Sequence, residues 1–162
     1  MKVTKLMHVC IVVPNLERAL NFYCDVLGFR SDFETDNDKA DGRLLGFDED
    51  EIHLKAQHLI SESTDPSEAT EINVVEYTDP KTLLSSQPYT QQNNIGITRL
   101  ALEVNDVDEA LDDIRSVEGV EVVCEPKNIL IVEPAVTVTA RWCSFKDPFG
   151  IFITLSQPPM TK

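Results

Sequence analysis

Two segments of the chain, residues 8–30 and 99–121, show the same succession of apolar and polar positions. In each, a short apolar run predicts a strand, and a polar residue followed by an apolar stripe at 3.6-residue spacing predicts a capped helix that a glycine ends. The two segments align without a gap and match at five positions: Val13/Val104, Ala19/Ala110, Leu20/Leu111, Val26/Val117 and Gly28/Gly119. This pattern favours a repeated supersecondary unit over two unrelated amphipathic helices.

Each predicted helix has its own start and stop signals. Asn15 precedes the first apolar stripe, which begins at Leu16 and ends before Gly28. Asp106 precedes the second, with Glu109 three residues later as in a capping box. β-Branched and aromatic runs broken by turn residues follow each helix and predict three strands per copy: Phe29–Thr35, Glu51–Ile60, Thr70–Thr78, Val120–Cys124, Ala135–Phe145 and Gly150–Ser156.

These elements predict an α+β fold of two tandem β-α-β-β-β modules, with a helix covering one face of each sheet. We expect modules at residues 1–84 and 95–162, joined by a linker at 85–94. Together they form one compact domain with a core large enough to be stable without disulfides. Residues 36–50 and 61–69 look least ordered.

The composition changes this picture in two respects. No signal peptide or membrane span is evident, and the four cysteines have no C-x-x-C spacing, so we expect a cytoplasmic protein with small buried thiols. The net charge is −14, which disfavours nucleic acid and anionic membranes as partners. The acidic residues, including those of 62–71, are interpreted either as a solvated surface or as a groove that attracts a cationic ligand.

The opening HVCIVVPNLERALNFYCDVLGF (residues 8–29) and the closing FKDPFGIFITL (residues 145–155) resemble the motifs of the vicinal oxygen chelate superfamily. That superfamily includes glyoxalase I, extradiol dioxygenases and bleomycin resistance proteins. The resemblance implies a cupped, incomplete barrel around a central cleft and, from the family, a homodimer. It implies no single reaction, because the family has many chemistries on one scaffold.

Metal-using members take one ligand from the first and one from the last strand of each module, commonly His and Glu. By this resemblance the four positions are His8, Asn73, Arg99 and Thr154, so His8 is the one ligand retained. A guanidinium has no lone pair to donate and stays protonated. We therefore expect no cofactor, and a divalent metal (Ni, Zn, Mn or Fe) is the alternative. Glu76 points away from Asn73 if the strand is regular, whereas Glu103 shares the face of Arg99.

The predicted cleft offers hydrogen bonds around one fixed positive charge. The expected ligand-binding residues are His8, Asn73, Tyr77, Arg99, Glu103, Trp142 and Thr154. Arg99 is a candidate oxyanion stabiliser and His8 a candidate general base. Equally, Arg99 can form an internal ion pair with Glu103 or Glu76, which would leave a site without ligand-binding activity. His53 and His58 are interpreted as one surface residue and one core or interface residue rather than as ligands.

Two functions follow. The first is a metal-free small-molecule-binding protein of the glyoxalase/bleomycin-resistance type. The second is a glyoxalase-like lyase or isomerase, or a dioxygenase-like enzyme, that uses either a weak metal site or acid–base chemistry by Arg99 and His8. A structural or partner-binding protein without a ligand is a third possibility.

Overall fold

The computed structural model describes residues 8–62, 69–84, 97, 99–132 and 137–158, and for 33–39, 130–132 and 137 it describes the backbone only. The chain divides into two compact units, residues 1–85 and 86–162. The predicted linker, residues 85–94, and most of the predicted loop at 61–69 lie outside the described residues. In the described part of the chain, no helix is long and apolar enough to span a membrane.

The first module is a four-stranded mixed sheet with one helix. Its elements are β1 (Val9–Val12), α1 (Leu16–Leu20), a π-helical segment (Asn21–Val26), β2 (Arg30–Asp41), β3 (Glu51–Ile60) and β4 (Glu71–Asp79). The strand order is β1-β4-β3-β2, with β1 parallel to β4 and the other neighbours antiparallel.

The second module repeats this topology. Its elements are β5 (Leu100–Glu103), α2 (Val107–Ile114), β6 (Glu121–Val132), β7 (Thr137–Lys146) and β8 (Phe152–Ser156). The strand order is β5-β8-β7-β6, again with one parallel pair, β5 and β8. The predicted α+β fold of two β-α-β-β-β units is therefore confirmed.

The predicted N-terminal capping residues form helix caps in the structure. The side chain of Asn15 accepts a 2.7 Å hydrogen bond from the backbone N–H of Arg18. Asp106 accepts from the N–H groups of Asp108 and Glu109 at 2.9 and 3.0 Å. Gly28 follows the first helical segment with φ of 74°, a region that L-residues other than glycine rarely adopt. Gly119 also has a positive φ, 89°, but α2 already ends at Ile114, so the predicted stop at Gly119 is wrong for the helix itself.

The first helix is not α-helical throughout, in contrast to its prediction as one uniform stripe. After Leu20 the turns widen, and the N–H of Leu27 donates to the carbonyl of Phe22 at 3.0 Å. The neighbouring residues Phe22 and Tyr23 are both buried, with their rings edge to face at 5.4 Å. A π-helical turn allows two consecutive aromatic side chains to reach the core, which a regular stripe does not.

Two strands are longer than predicted. β2 continues through Asp41, into the segment 36–50 that looked least ordered, and β6 continues through Val132. The cause is pairing along a hairpin: Asp36 pairs with Lys55 and Asp41 with Glu51. Backbone hydrogen bonds to a neighbouring strand do not require apolar side chains, so a polar stretch can still be a strand.

The helix defines two faces on each sheet. In the first module Glu76 accepts a 2.7 Å hydrogen bond from the N–H of Leu16 in α1, so Glu76 faces the helix. In the second module Arg141 forms an ion pair with Asp108 of α2. Because strand side chains alternate, Asn73 and Tyr77 lie on the face away from α1, and Trp142 lies on the face away from α2. We call these the open faces of the two sheets.

Candidate functional site

The open face of the first sheet carries a cluster of three ionisable side chains. His8 lies immediately before β1, Glu71 begins β4, and His58 lies near the end of β3. Nδ1 of His8 lies 3.3 Å from Oε1 of Glu71, and Nδ1 of His58 is hydrogen-bonded to the same oxygen. The two imidazole rings meet edge to face, with centroids 5.4 Å apart. One nitrogen or oxygen atom from each residue lies within 4.8 Å of the others, as metal ligands do.

Strand register brings these residues together. β1 and β4 run parallel with Val9 opposite Ile72, which places His8 beside Glu71. β3 and β4 run antiparallel with His58 opposite Asn73, two positions from Glu71 on the same face. The three side chains therefore come from three adjacent strands of a single module.

Two members of this cluster were not among the predicted site residues. His58 is buried, which agrees with its interpretation as a core residue, but its side chain meets Glu71 and His8. Glu71 is the first residue of β4, within the predicted strand Thr70–Thr78, but it was interpreted only as one of the acidic residues of 62–71 and not as a site residue. Its spacing of two residues from Asn73 was the sequence signal that places both side chains on one face.

Asn73, at the usual glutamate position of the family, lies on the same open face. Its cross-strand neighbours are Cys10 on β1 and His58 on β3. Its amide hydrogen-bonds the thiol of Cys10, and this bond partly offsets the desolvation and the nearby Glu71 charge that raise the pKa of that thiol. The Oδ1 atom of Asn73 is buried and has no hydrogen-bond partner in the described part of the chain. Since a buried acceptor without a partner is costly, this oxygen suits a bound molecule or ion.

Tyr77 lies further along the same face, in apolar surroundings. Its ring contacts that of Phe47, with centroids 5.3 Å apart, beside a buried cluster that includes Leu54 and Val75. Desolvation, followed by the neighbouring Cys10, raises the pKa of the Tyr77 hydroxyl. The open face of the first sheet therefore has a polar end at His8 and an apolar end at Tyr77.

The open face of the second sheet carries Arg99, just before β5. Its guanidinium carbon lies 6.0 Å from the ring centroid of Trp142, at the outer limit of a cation–π contact. Arg99 is exposed and forms no ion pair with any residue that the structure describes, Glu103 included. The Nε1 atom of Trp142 is buried and likewise has no partner among them.

The other residues predicted on the open face of the second sheet differ in exposure and in hydrogen bonding. Thr154 on β8 lies opposite Ala101 on β5, as the shared face requires. It is buried, and its hydroxyl donates to the carbonyl of Leu100 at 3.4 Å. Glu103 is exposed at the end of β5. Glu76 was the other predicted partner of Arg99. Its carboxylate instead accepts a hydrogen bond from the backbone N–H of Leu16 at the start of α1.

The donor set at the four family positions does not fit a divalent metal. Arg99 offers a cation, the Thr154 hydroxyl is committed to a backbone carbonyl, and the Asn73 amide is neutral. Three of the four positions thus supply no anionic or imidazole donor. Within the first module, by contrast, the carboxylate and second imidazole that the family positions lack lie beside His8.

The four cysteines are free thiols. Cys143 is buried, which raises the pKa of its thiol to about 11. Cys10 is exposed on the open face of the first sheet, and Cys24 and Cys124 are half-buried, so the prediction of buried cysteines is confirmed for Cys143 and wrong for Cys10. The error has a simple cause: alternation on β1 directs Ile11 to the core and Cys10 away from it.

The tandem β-α-β-β-β modules define the fold, and sequence comparison identifies the family. The chain belongs to the Glyoxalase/Bleomycin resistance protein/Dioxygenase superfamily, whose model matches residues 5–155. A 2-epi-5-epi-valiolone epimerase from Actinomyces sp. is 26% identical over 153 residues, which cover 94% of this chain and 78% of that protein.

Solved structures share the fold. A glyoxalase family protein from Bacillus cereus superimposes with a TM-score of 0.77 at 21% identity, over 99% of this chain and 97% of that one. TnmS3, an antibiotic binding protein from Streptomyces sp. CB03234, gives a TM-score of 0.58 at 22% identity, over 98% of each chain. At these identities the likeness establishes the fold and not the ligand.

Proposed function

We propose that this protein binds a small organic molecule through an acceptor oxygen, such as a carboxylate or a polarised carbonyl. Arg99 holds that oxygen, at the position where metal-using relatives place a histidine. The observation that carries the proposal is a pair of donor groups on the second sheet that have no protein partner in the described part of the chain. The Arg99 guanidinium has no counter-ion in the described part of the chain, and the indole N–H of Trp142 beside it has no acceptor there.

The guanidinium of Arg99 favours a ligand that carries a carboxylate. A guanidinium presents a planar fork of N–H groups that matches a carboxylate, and charge-assisted hydrogen bonds of this kind are the strong ones. The net charge of −14 acts against anions at long range. That field is screened beyond about 8 Å at physiological salt, whereas a direct contact with Arg99 is not. We therefore expect acids to bind better as salt rises to physiological strength, and cationic drugs to bind worse.

The fluorescence of Trp142 tests the proposal, because this is the sole tryptophan of the chain. In a chelator-containing buffer, aromatic and aliphatic carboxylic acids are titrated against the corresponding neutral amides. We expect acids to change the emission and Arg99→Gln to weaken their binding at least about tenfold, the loss expected for one charge-assisted hydrogen bond.

The matched control is Arg43→Gln, which removes an arginine that is already paired with Asp50 at 3.0 Å. This variant should bind acids as the wild type does. If acids bind equally well to the wild type and to Arg99→Gln, or if none of the acids changes the emission, the proposed role of Arg99 is wrong.

An isomerase or epimerase is the second candidate, and the contact between His8 and Glu71 favours it. The Glu71 carboxylate that lies against the His8 imidazole fixes the orientation of the ring, which a general base requires. The relative that is named an epimerase supports the same class. In this scheme His8 removes a proton from the carbon beside a carbonyl, the electron pair moves onto the carbonyl oxygen, and Arg99 stabilises the resulting charge. The His8 imidazolium then releases this proton to solvent, and a solvent proton adds to the other face of the carbon, so that no net proton is gained or lost.

This second candidate requires the two open faces to share one cleft, which stays a prediction. Deuterium exchange tests it: a panel of ketones and hydroxyketones is incubated with the protein in D2O and followed by proton NMR. We expect loss of the signal from the carbon-bound proton, and no loss with His8→Gln. Exchange at the same rate in His8→Gln would assign the base to another residue. The family homodimer also stays a prediction, for which light scattering gives the mass in solution.

A further inference from the structure

We propose that His8, His58 and Glu71 bind a divalent first-row metal ion of borderline softness, such as Zn²⁺ or Ni²⁺, entirely within the first module. This site differs from the four-residue family position, which takes ligands from both modules. The proposal is independent of the role of Arg99, so either can fail without the other.

The donor types fit such an ion. Two imidazole nitrogens and one carboxylate oxygen are the ligands that zinc, nickel and iron prefer, and three protein ligands leave positions open for water or a small-molecule oxygen. The alternative, a calcium or magnesium ion, would require mostly oxygen donors. The cluster is therefore not a site for the hard cations.

The distances fit as well. An ion bound at about 2.1 Å from each donor places neighbouring donors about 3.0–3.4 Å apart. Nδ1 of His8 and Oε1 of Glu71 lie 3.3 Å apart. Nδ1 of His58 touches the same oxygen, so binding requires the Glu71 carboxylate or the His58 ring to rotate. All three donors already lie within 4.8 Å of one another.

Burial and charge support the site. The side chains of His58, Glu71 and His8 are 10%, 25% and 29% exposed, so the cluster is partly desolvated but open to an ion from solvent. Partial desolvation strengthens the attraction between the Glu71 charge and a cation. The unpartnered Oδ1 of Asn73, whose strand position is opposite His58, adds an oxygen beside the cluster that a metal-bound water can satisfy.

The competing interpretation is a purely structural triad, in which one carboxylate accepts hydrogen bonds from two imidazoles. The two interpretations predict different outcomes when metal is offered. A structural triad leaves the wild type without a stoichiometric ion, whereas a metal site binds one ion per chain.

The experiment uses the full chain, stripped with chelator and dialysed, then titrated with Zn²⁺ and with Ni²⁺ in a calorimeter. The bound metal is counted by elemental analysis after gel filtration. We expect one ion per chain in the wild type. His58→Gln and Glu71→Gln should each weaken binding by more than about a hundredfold, since loss of an outer partner of a metal ligand already costs about 10–100-fold.

Two further variants serve as matched controls for His58→Gln and Glu71→Gln. His53→Gln removes the other histidine of β3, which lies outside the cluster, and Glu51→Gln removes an exposed carboxylate at the start of the same strand. Both should keep the wild-type affinity. Cobalt substitution provides a readout that does not depend on a variant, because its visible absorption reports imidazole and carboxylate coordination in the wild type.

Several results would overturn the proposal. One is an absence of stoichiometric metal in the wild type together with no cobalt spectrum. Another is binding that His53→Gln abolishes and His58→Gln does not. If His58→Gln fails to fold by circular dichroism, the nearly isosteric Glu71→Gln and the cobalt spectrum of the wild type decide the question.

Discussion

The carboxylate of Glu76 accepts a 2.7 Å hydrogen bond from the backbone N–H of Leu16, the first residue of α1. The second module has an equivalent contact: the side-chain oxygen of Gln157 accepts a 3.1 Å hydrogen bond from the backbone N–H of Val107, the first residue of α2. Leu16 and Val107 occupy equivalent positions of the repeat. In each module, a side chain at or just after the last strand thus fastens the start of the helix to the sheet.

We predict that Glu76→Ala lowers the free energy of unfolding by about 1–2 kcal/mol, because it leaves a partly buried helix N–H without its acceptor. Urea denaturation measures this change. Glu76→Gln is the control, since its amide oxygen can still accept, and it should cost clearly less. Equal stability of the alanine variant and the wild type would mean that this bond is not formed in solution.

The cap of α2 gives a second prediction. Asp106 accepts hydrogen bonds from the backbone N–H groups of Asp108 and Glu109, so Asp106→Ala should destabilise the protein by about 1 kcal/mol. Asp113→Ala is the matched control because Asp113 is exposed near the other end of α2, where a negative charge opposes the helix dipole. Thermal unfolding of the three proteins should place Asp106→Ala lowest. The reverse order would contradict the cap.

The repeat made most of the fold predictable from the sequence. Caps, apolar stripes and glycine stops are local signals, and they located both helices because each depends on a few neighbouring residues. Asn15, Asp106 and Gly28 have the predicted roles, whereas α2 ends at Ile114, before Gly119. The polar end of β2 was missed because its stability comes from the partner strand and not from its own composition.

The candidate site was less predictable, for a reason that His58 and Glu71 illustrate. Alternation assigns a side chain to a face within one strand, but only the register between strands shows which side chains meet. The sequence allowed both residues to be located on strands, and it did not align β3 with β4 or β4 with β1. The alignment with the family motif assigns the ligand position to Asn73, and it gives no role to Glu71, two residues earlier.

The ion pair between Arg141 and Asp108 gives a prediction about pH. The hydrogen bonds from the Arg141 guanidinium hold the pKa of Asp108 below its ordinary value of 3.8. A depressed carboxyl pKa stabilises the folded state above the unfolded pKa, and this contribution is lost as the pH falls through the lower folded value. Carbon-detected NMR of the Asp108 carboxyl should therefore give a midpoint below 3.8 in the wild type.

Arg141→Gln should raise that midpoint toward the ordinary value, because the main cause of the shift is removed. Asp112 provides an internal control in the same spectra, since it pairs with Arg115 and not with Arg141. The chemical shift of its carboxyl carbon should be the same in both proteins. An unchanged Asp108 midpoint in Arg141→Gln would show that the ion pair is absent in solution.

The two thiols Cys10 and Cys143 should react with alkylating agents at very different rates. The thiolate is the reactive form, and burial raises the pKa of the Cys143 thiol from 9.0 to about 11, whereas Cys10 is exposed. Desolvation also raises the pKa of the Cys10 thiol, but at pH 8 the native chain should label at Cys10 before Cys143. A pKa two units higher leaves about a hundredfold less thiolate at Cys143 than in the unfolded chain.

The same shift makes stability depend on pH in the alkaline range. Because the folded state keeps Cys143 protonated, its contribution is fully present below 9.0 and is lost as the pH rises toward about 11. Pulse alkylation with peptide mass spectrometry, at several pH values and with urea-unfolded protein as the reference, measures both effects. Labelling of Cys143 as fast as that of Cys10 at pH 8 would contradict the burial of this thiol against the helix-facing side of the second sheet.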